Sequence, residues 1–592
     1  MDLTTVTCRS TIEVKELAYA QIQNDIEALK ESIRALKVRH NTLSMTMLLP
    51  PEILAAIFLW NAEMMRYDRK MRWTNVSHVC SWWRRIALET PSLWSRIIFN
   101  INRNWVPAML SRSGATTLEF DMSVSDPKEV QVCKAVLSQI HRIRDLCMRQ
   151  PFGSLTSLSG VILGLTKPAP LLERLLIRQE DINMPSAGNK ISHFNLFRGC
   201  APRLRTLELQ GIILPLNLPA LSGITTLTLR NINRFKPSLN ELVEALESMK
   251  DLQTLTLRSA FAFDPQSDPN PSYFAADLPY LRSLNIRSDT ISCTALLWRI
   301  NCPHTANQRL AVSAPDRRVF PSLNIDEALC ALGVVLREKY LDGLRCLSLS
   351  MRPAGYCMGL KAWGETGNRI QPPEQVPSLM VTLAHSNLDK LCALLLGLPL
   401  DHLESLHVKE LPFDATLWRT TFGDIETLRM VHITGFIGPF LLALHHGCPI
   451  RDSNTPQKPG RPDKLCFQGL RILTGETCPD ATLAWQNNTH RACLLERRKR
   501  GVGLSELYML DIPTGTPTAA VCEPWRTVVD KVHWELHDET TNVGSYLWSD
   551  IHSDSASLEP SEGEYDEDQY EVDWEPDYYS DYDDYDDPLS YF

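Results

Sequence analysis

The chain has 592 residues, 44% of them hydrophobic, which is enough for several domains or one domain plus a long repeat array around a buried core. Its formal net charge of −10 hides an asymmetry: residues 1–531 carry 60 basic and 50 acidic side chains, whereas 532–592 carry 20 acidic ones and no Lys or Arg. The 16 cysteines stand singly, never at C-x-x-C spacing, which argues against a zinc ribbon or a thioredoxin-type site. The start MDLTTVTCRS has no basic stretch followed by an apolar run, and the densest apolar run, Leu391 to Leu400, is too short to span a bilayer. No secretory or membrane segment is therefore expected. The thiols are expected to be reduced, in the cytoplasm or nucleus, and the sequons at Asn75 and Asn487 are read as chance matches.

Residues 11–45 read as a coiled-coil-like helix. Tyr19, Ile22, Ile26, Leu29, Ile33, Leu36, His40 and Leu43 are spaced alternately three and four apart, the a/d pattern of a seam. Two readings stay open: self-association through 19–43, or packing of the helix back onto its own domain.

Residues 46–98 follow with a compact pattern. Leu49-Pro50-x-Glu52-Ile53-Leu54 and Ile57-Phe58 open a helix, with Pro where a missing N–H costs nothing and Glu in the first turn. Ile53, Ile57 and Trp60 make one apolar stripe, widened by Leu54 and Phe58. A second helix is expected near Val76 to Leu88, with Val76, Val79, Cys80, Trp83 and Ile86 or Ala87 inward. Pro91 ends the unit, and Leu93 and Trp94 follow.

Residues 110–530 repeat a short phrase: apolar, two variable residues, Leu, one variable residue, apolar. Examples are Leu204-RT-Leu207-E-Leu209, Ile224-TT-Leu227-T-Leu229 and Leu252-QT-Leu255-T-Leu257. A later copy is read at Ile425-ET-Leu428-R-Met430 and a degenerate one at Leu504-SE-Leu507-Y-Met509. The central leucines at 146, 175, 207, 227, 255 and 284 are 20 to 32 residues apart, and the next gaps, 63 and 59, are about two periods each. One strand per period is the physical meaning, because so short a strand is stable only when stacked on neighbours. Helical connectors are expected at Ser238–Met249, with Ser238 and Glu241 at capping-box spacing, and at Ile325–Tyr340. Parallel strands with crossovers follow from that order. The stretches 352–374 and 451–463 read as surface loops.

Residues 46–98 resemble the F-box, especially the form in large F-box families of mushroom-forming fungi, through Leu49-Pro50-x-Glu52-Ile53, Ile57-Phe58, Val79-Cys80-x-x-Trp83-Arg84 and Leu93-Trp94. Leu59 to Asn75 departs from it, being longer and more charged. Residues 140–510 resemble the leucine-rich-repeat family. The Asn that family places after each strand is replaced here by Ile212, Ile232, Ala260, Asp289 and Arg352, so the strand-end hydrogen bonds must be made another way.

The resemblance implies an α/β chain: a helical F-box module and an irregular leucine-rich-repeat-like solenoid of parallel strands. The acidic tail over 550–592 is expected to be disordered, because like charges repel and little apolar surface can be buried. The resemblance also implies a substrate-recognition subunit of an SCF-type cullin–RING ubiquitin ligase. Leu49, Pro50, Glu52, Ile53, Ile57, Phe58, Val79, Cys80, Trp83, Leu93 and Trp94 would bind the Skp adaptor, and the body would capture a protein target. The alternative is a repeat-based scaffold not coupled to ubiquitination.

No nucleotide-binding, zinc-protease or hydrolase motif occurs, so no catalytic residue, metal or cofactor is expected, and neither membrane nor nucleic acid is an expected partner. His445-His446 reads as a helix terminus, and Glu496-Arg-Arg-Lys-Arg500 as a solvated loop or a basic localisation signal. The residue after each strand's last core position is Arg149, Arg178, Gln210, Arg230, Arg258 and Arg287 in turn. Such a column of Arg would suit an acidic or phosphorylated target segment, or the chain's own tail.

Overall fold

The computed structural model describes residues 11–66, 71–97, 104–151, 154, 158–179, 196–212, 214–232, 236–263, 275–315, 324–339, 341, 343–351, 357–366, 372–384, 387–446, 465–476, 485, 487–512 and 523–536. The chain divides into two units, Met1–His537 and Asp538–Phe592, and the described residues all fall in the first. The expected acidic tail and the 451–463 loop lie outside them.

Helix α1 (Ile12–Asn41) runs for 30 residues, about 45 Å. Glu13 in its first turn and Arg39 and His40 in its last complement the helix dipole. Lys30–Glu27 (2.9 Å) and Arg34–Glu31 (3.1 Å) brace it one turn apart. Ala18 alone is buried. The apolar seam is in solvent, with Leu29 64% and Leu36 66% exposed, so α1 is not packed back along its seam on its own domain.

Helix α2 (Pro51–Met64) starts as expected, with Pro50 at the N-cap and Glu52 in the first turn. The expected helix Val76–Leu88 is two elements: a 3-10 turn over Arg72–His78, then α3 (Ser81–Leu88). They break at Cys80, whose extended backbone makes it the N-cap and whose Sγ accepts from the Trp83 N–H at 3.4 Å. That break turns Val79 out to 60% exposure instead of inward.

From residue 96 onward the described residues build a sheet of 17 strands. Arg96–Ile97, Leu118–Ser123, Ile143–Gln150, Arg174–Gln179, Thr206–Gln210, Thr226–Arg230, Thr254–Arg258, Ser283–Asp289 and Asn307–Ser313 pair in that order, each parallel to the next. A second parallel run is Cys346–Met351, Ser405–Lys409, Met430–Thr434, Ile472–Glu476, Glu506–Ile512 and Lys531–Leu536. Two strands join the runs. Leu379–Ala384 lies parallel to Asn307–Ser313, and Cys357–Trp363 is antiparallel to both Leu379–Ala384 and Cys346–Met351.

The joint corrects three expectations. The sheet is not wholly parallel, 352–374 contains a strand rather than only a loop, and the 63- and 59-residue gaps are not two equal periods. The first gap holds the parallel strand Asn307–Ser313, hidden because polar Asn307 stands where the phrase wants an apolar residue. The copy read at 425–430 is also displaced: its strand begins at Met430, with Val431 and Ile433 as the buried pair. Strand Ile472–Glu476 went unread, since Gly475 occupies its second inward position.

The central strands point alternate leucines into the core. Leu207 and Leu209, Leu227 and Leu229, and Leu255 and Leu257 are all fully inaccessible. The missing Asn is replaced by backbone. Gly211, Asn231, Ser259 and Glu410, each just past a strand, have φ of 73°, 49°, 47° and 56°. Each such residue donates its own N–H along the ladder: Asn231 N–H reaches the Arg258 carbonyl at 2.7 Å, and Ser259 N–H the Arg287 carbonyl at 2.8 Å.

The connectors include Leu239–Glu247, whose Ser238–Glu241 capping box makes both of its hydrogen bonds. Helices Ile325–Lys339 and Leu388–Gly397 flank the strand inversion. They approach so closely that a Cβ on Gly333 would lie 2.5 Å from the Leu394 carbonyl oxygen.

The basic tract 496–500 is not a loop. It ends helix Asn488–Lys499, and the Arg497 side chain is in the core, donating to the carbonyls of Phe467 at 2.7 Å and Leu444 at 3.5 Å. His445 does cap a helix, Gly438–Leu444, and its Nε2 lies 2.8 Å from Nδ1 of His490.

Two histidines are held neutral. His407, between Ser405 Oγ at 3.1 Å and the ring of His432, is pushed down to about 3 by burial and then by that neighbour. His490 is pushed down to about 4 by burial and then by His445. Both values lie below the ordinary one, so the unfolded chain takes up protons first as the pH falls. Their contribution is complete above about pH 6.5 and declines below it, by up to about 1.4 kcal/mol per pH unit for a buried His. We expect the urea midpoint to fall from pH 7 to pH 5, and His407→Gln to flatten that slope. An unchanged slope would show that His407 is not held neutral.

Candidate docking surface

The N-terminal module is held by aromatic packing. Phe58 is fully buried, with its ring centroid 5.1 Å from that of half-buried Trp83, so α2 and α3 are fixed against one another. Trp94 is 1% exposed, donates its Nε1–H to the Ala87 carbonyl at 2.7 Å, and meets Trp73 edge-on at 5.5 Å. Leu54, Ile86, Ala87 and Leu93 complete this core. Arg112, from the helix Trp105–Arg112 that follows, lies over the Trp94 ring at 4.5 Å and ties the module to the body.

α2 is apolar on two faces, and one is buried. At 100° per residue, Leu54 and Phe58 share one side, while Ile53, Ile57, Trp60 and Met64 form a stripe within about 60° of arc. That stripe is in solvent: Ile53 is 48%, Ile57 46%, Trp60 71% and Met64 76% exposed. Leu48, just before the helix, is 75% exposed. A row of large apolar side chains without cover marks an interaction surface rather than a core.

The sequence-predicted docking residues therefore separate. Pro50, Glu52, Ile53, Ile57 and Val79 are exposed, and Leu49, Cys80 and Trp83 are half-buried. Phe58, Leu93 and Trp94 are interior, so a partner cannot touch them in this arrangement; they hold the shape of the face. Leu48 and Met64 were not among the predicted residues, although Met64 continues the spacing 53, 57, 60, 64.

A charged junction joins this module to the sheet. Glu119, on the second strand, accepts from Arg96 at 3.0 Å, lies 3.5 Å from Arg66, and also pairs with Arg144. Arg96 reaches Glu63 at the end of α2 as well, and that hydrogen bond holds the Glu63 carboxyl below the usual range. These partners are far apart in sequence, so no local pattern announces them. An open pocket beside the junction is lined by Arg66, Arg144, Arg174, Arg203 and Arg205 with Glu119, Asp145 and Glu173.

The expected Arg column is in register. Arg149, Arg178, Gln210, Arg230, Arg258 and Arg287 are consecutive partners across six strands, all on the solvent face. Its first two members are neutralised: Arg149 pairs with Asp121, and Arg178 with Glu208 at 2.8 Å. Beyond Gln210 the row continues through Arg230, Arg258 and Arg287, whose strands turn Thr226, Thr228, Thr254, Thr256, Ser283 and Asn285 to the same face. Asp289 is committed to capping the next helix at Ile291 and Ser292. Arg230 Nε is buried and makes no hydrogen bond.

Among the described residues, no group of three or more His, Cys, Asp and Glu is placed to hold a metal ion, and no helix is long and apolar enough to cross a membrane.

No curated protein sequence matches the chain significantly. Residues 47–100 match the F-box-like family model, so the module that presents the exposed face of α2 carries an F-box-like domain.

Proposed function

We propose that this chain is the substrate-recognition subunit of an SCF-type cullin–RING ubiquitin ligase. The uncovered stripe Ile53, Ile57, Trp60 and Met64, within the F-box-like stretch, carries the reading. A Skp-type adaptor would cover it, with Leu49, Pro50 and Val79 nearby in sequence or module, and would link the chain to the cullin. The body is read as an irregular leucine-rich-repeat-like solenoid, supported by the sequence-ordered parallel strands. Its part is to hold a target beside a charged ubiquitin-conjugating enzyme. The chain supplies binding and geometry by raising effective concentration, and the chemistry resides in the ligase partners.

The target surface is read as the Arg230, Arg258 and Arg287 patch, which fits an acidic protein segment. Parallel strands place these side chains about 4.8 Å apart, a spacing at which one acidic segment can reach all three. Forked guanidinium donors, and a buried Nε with no acceptor, suit carboxylates.

The docking test is co-purification with a Skp adaptor and cullin. Ile57→Glu plus Val79→Glu changes only exposed positions, so the thermal midpoint should hold while adaptor affinity falls at least about 30-fold, as for loss of an anchor worth about 2 kcal/mol. Phe58→Ala should instead lower stability by about 3–5 kcal/mol. Full adaptor binding by the folded double variant would overturn the docking face. Absence of any adaptor binding by the native chain would leave an uncoupled scaffold.

For the target face, Arg230→Glu plus Arg258→Glu should leave folding and adaptor binding unchanged and weaken capture of an acidic target at least about tenfold, more at low salt. Unchanged capture would place recognition elsewhere on the body.

A further inference from the structure

We propose that α1 is the interface of a parallel two-stranded coiled coil formed with a second copy of this chain. The observation that carries it is the solvent exposure of a heptad seam whose branching is sorted by position. With Tyr19 at position a, the a residues are Tyr19, Ile26, Ile33 and His40, and the d residues are Ile22, Leu29, Leu36 and Leu43. All seven apolar members are open in the single chain, from 38% at Ile26 to 84% at Leu43. The central two heptads put β-branched Ile at a and Leu at d, the arrangement that favours two strands in parallel; trimers and tetramers prefer other assignments.

Orientation follows from which layers meet. In a parallel pair, a faces a′ and d faces d′, so His40 meets His40′ in one polar layer near the end of the seam. In an antiparallel pair, His40 would be buried against Ile22′. A single polar layer of this kind specifies register at a cost in stability. The flanks agree. Asp25 at g faces Lys30′ at e′ in the parallel pair, with Ser32 facing Lys37′, so no like charges meet on the helix flanks. The antiparallel pair would set Lys30 against Lys30′. The second copy is favoured over a docking partner of other composition because the seam is complementary to itself in shape, polar layer and flanking charge.

The consequence lies at the other end of the helix. Five residues, 44–48, separate Leu43 from Leu49, and four of them form the 3-10 turn Met45–Leu48. α2 starts at Pro51, two residues further on, so each α2 begins within about 28 Å of the end of the seam. The pair would present two exposed α2 stripes on one particle, and on the proposed docking reading it would be bivalent for adaptor and target. Self-association itself does not depend on that reading.

The experiment uses the full chain. Light scattering after size exclusion, at micromolar concentration, should give twice the chain mass of 67.1 kDa. Ile26→Glu plus Ile33→Glu should give 67.1 kDa with the thermal midpoint of the body and adaptor binding per chain unchanged. Orientation is read by charge exchange: Asp25→Lys should weaken self-association roughly tenfold, and adding Lys30→Glu should restore it. A single-chain mass for the native protein, or a doubled mass that survives the Ile26 and Ile33 substitutions, would overturn the interface. A threefold or fourfold mass would overturn the two-stranded form. Rescue of Asp25→Lys by Arg39→Glu but not by Lys30→Glu would show an antiparallel seam.

Discussion

The structure depends on lateral stacking of strands that are too short to stand alone. A strand such as Thr226–Arg230 contributes two inward leucines and five residues of backbone, which cannot offset the entropy of ordering them. Its inward side chains are dry only because a neighbour on each side and a connector below complete the layer. The ladder must therefore continue without a gap, and strand ends are its weak points. Left-handed residues at 211, 231, 259 and 410 meet that need by donating their own N–H groups to carbonyls of the neighbouring strand. The same continuity explains the joint at Cys357–Trp363. Where the simple order fails, an antiparallel strand fills the space, so both parallel runs keep a paired edge.

The N-terminal module obeys a different economy. α2 has more apolar surface than a three-element core can absorb, and the aromatic cluster of Phe58, Trp73, Trp83 and Trp94 decides which side goes inward. Once Leu54 and Phe58 are committed to it, Ile53, Ile57, Trp60 and Met64 are turned about a quarter of a circle away, into water. The 3-10 turn and the Cys80 cap then replace a continuous second helix. A face is therefore left open by the packing itself, and the Glu63–Arg96–Glu119 chain holds that face to the first strands of the sheet.

Much was legible in the residues alone. The start of α2 at Pro50 and Glu52, the Ser238–Glu241 box, the helix near 325 and the central strands follow from local periodicity and capping, which need no knowledge of distant partners. The register of the arginine column follows equally, because an in-phase Leu-x-Leu repeat places the next residue in phase as well. Some elements that escaped break the phrase: Asn307–Ser313 begins with a polar residue, Ile472–Glu476 carries a Gly in an inward place, and Cys357–Trp363 runs backwards. Others, such as Leu379–Ala384 after Val376, keep it and became evident only through their pairing.

The sequence by itself determined where apolar and polar residues alternate, and hence which segments become helix or strand and which charges share a row. Only the tertiary structure decided between equivalent apolar surfaces. Phe58 is covered and Ile57 is not, although the two are adjacent and both apolar. Arg497 is interior, although it sits in a run of basic residues, because two carbonyls at 444 and 467 converge on it. Arg149 and Arg178 are neutralised while Arg230 is not, because the carboxylates that reach the column belong to neighbouring strands. The reason is common to all three: a local pattern records what a side chain prefers, but burial and pairing depend on which groups from elsewhere in the chain arrive beside it.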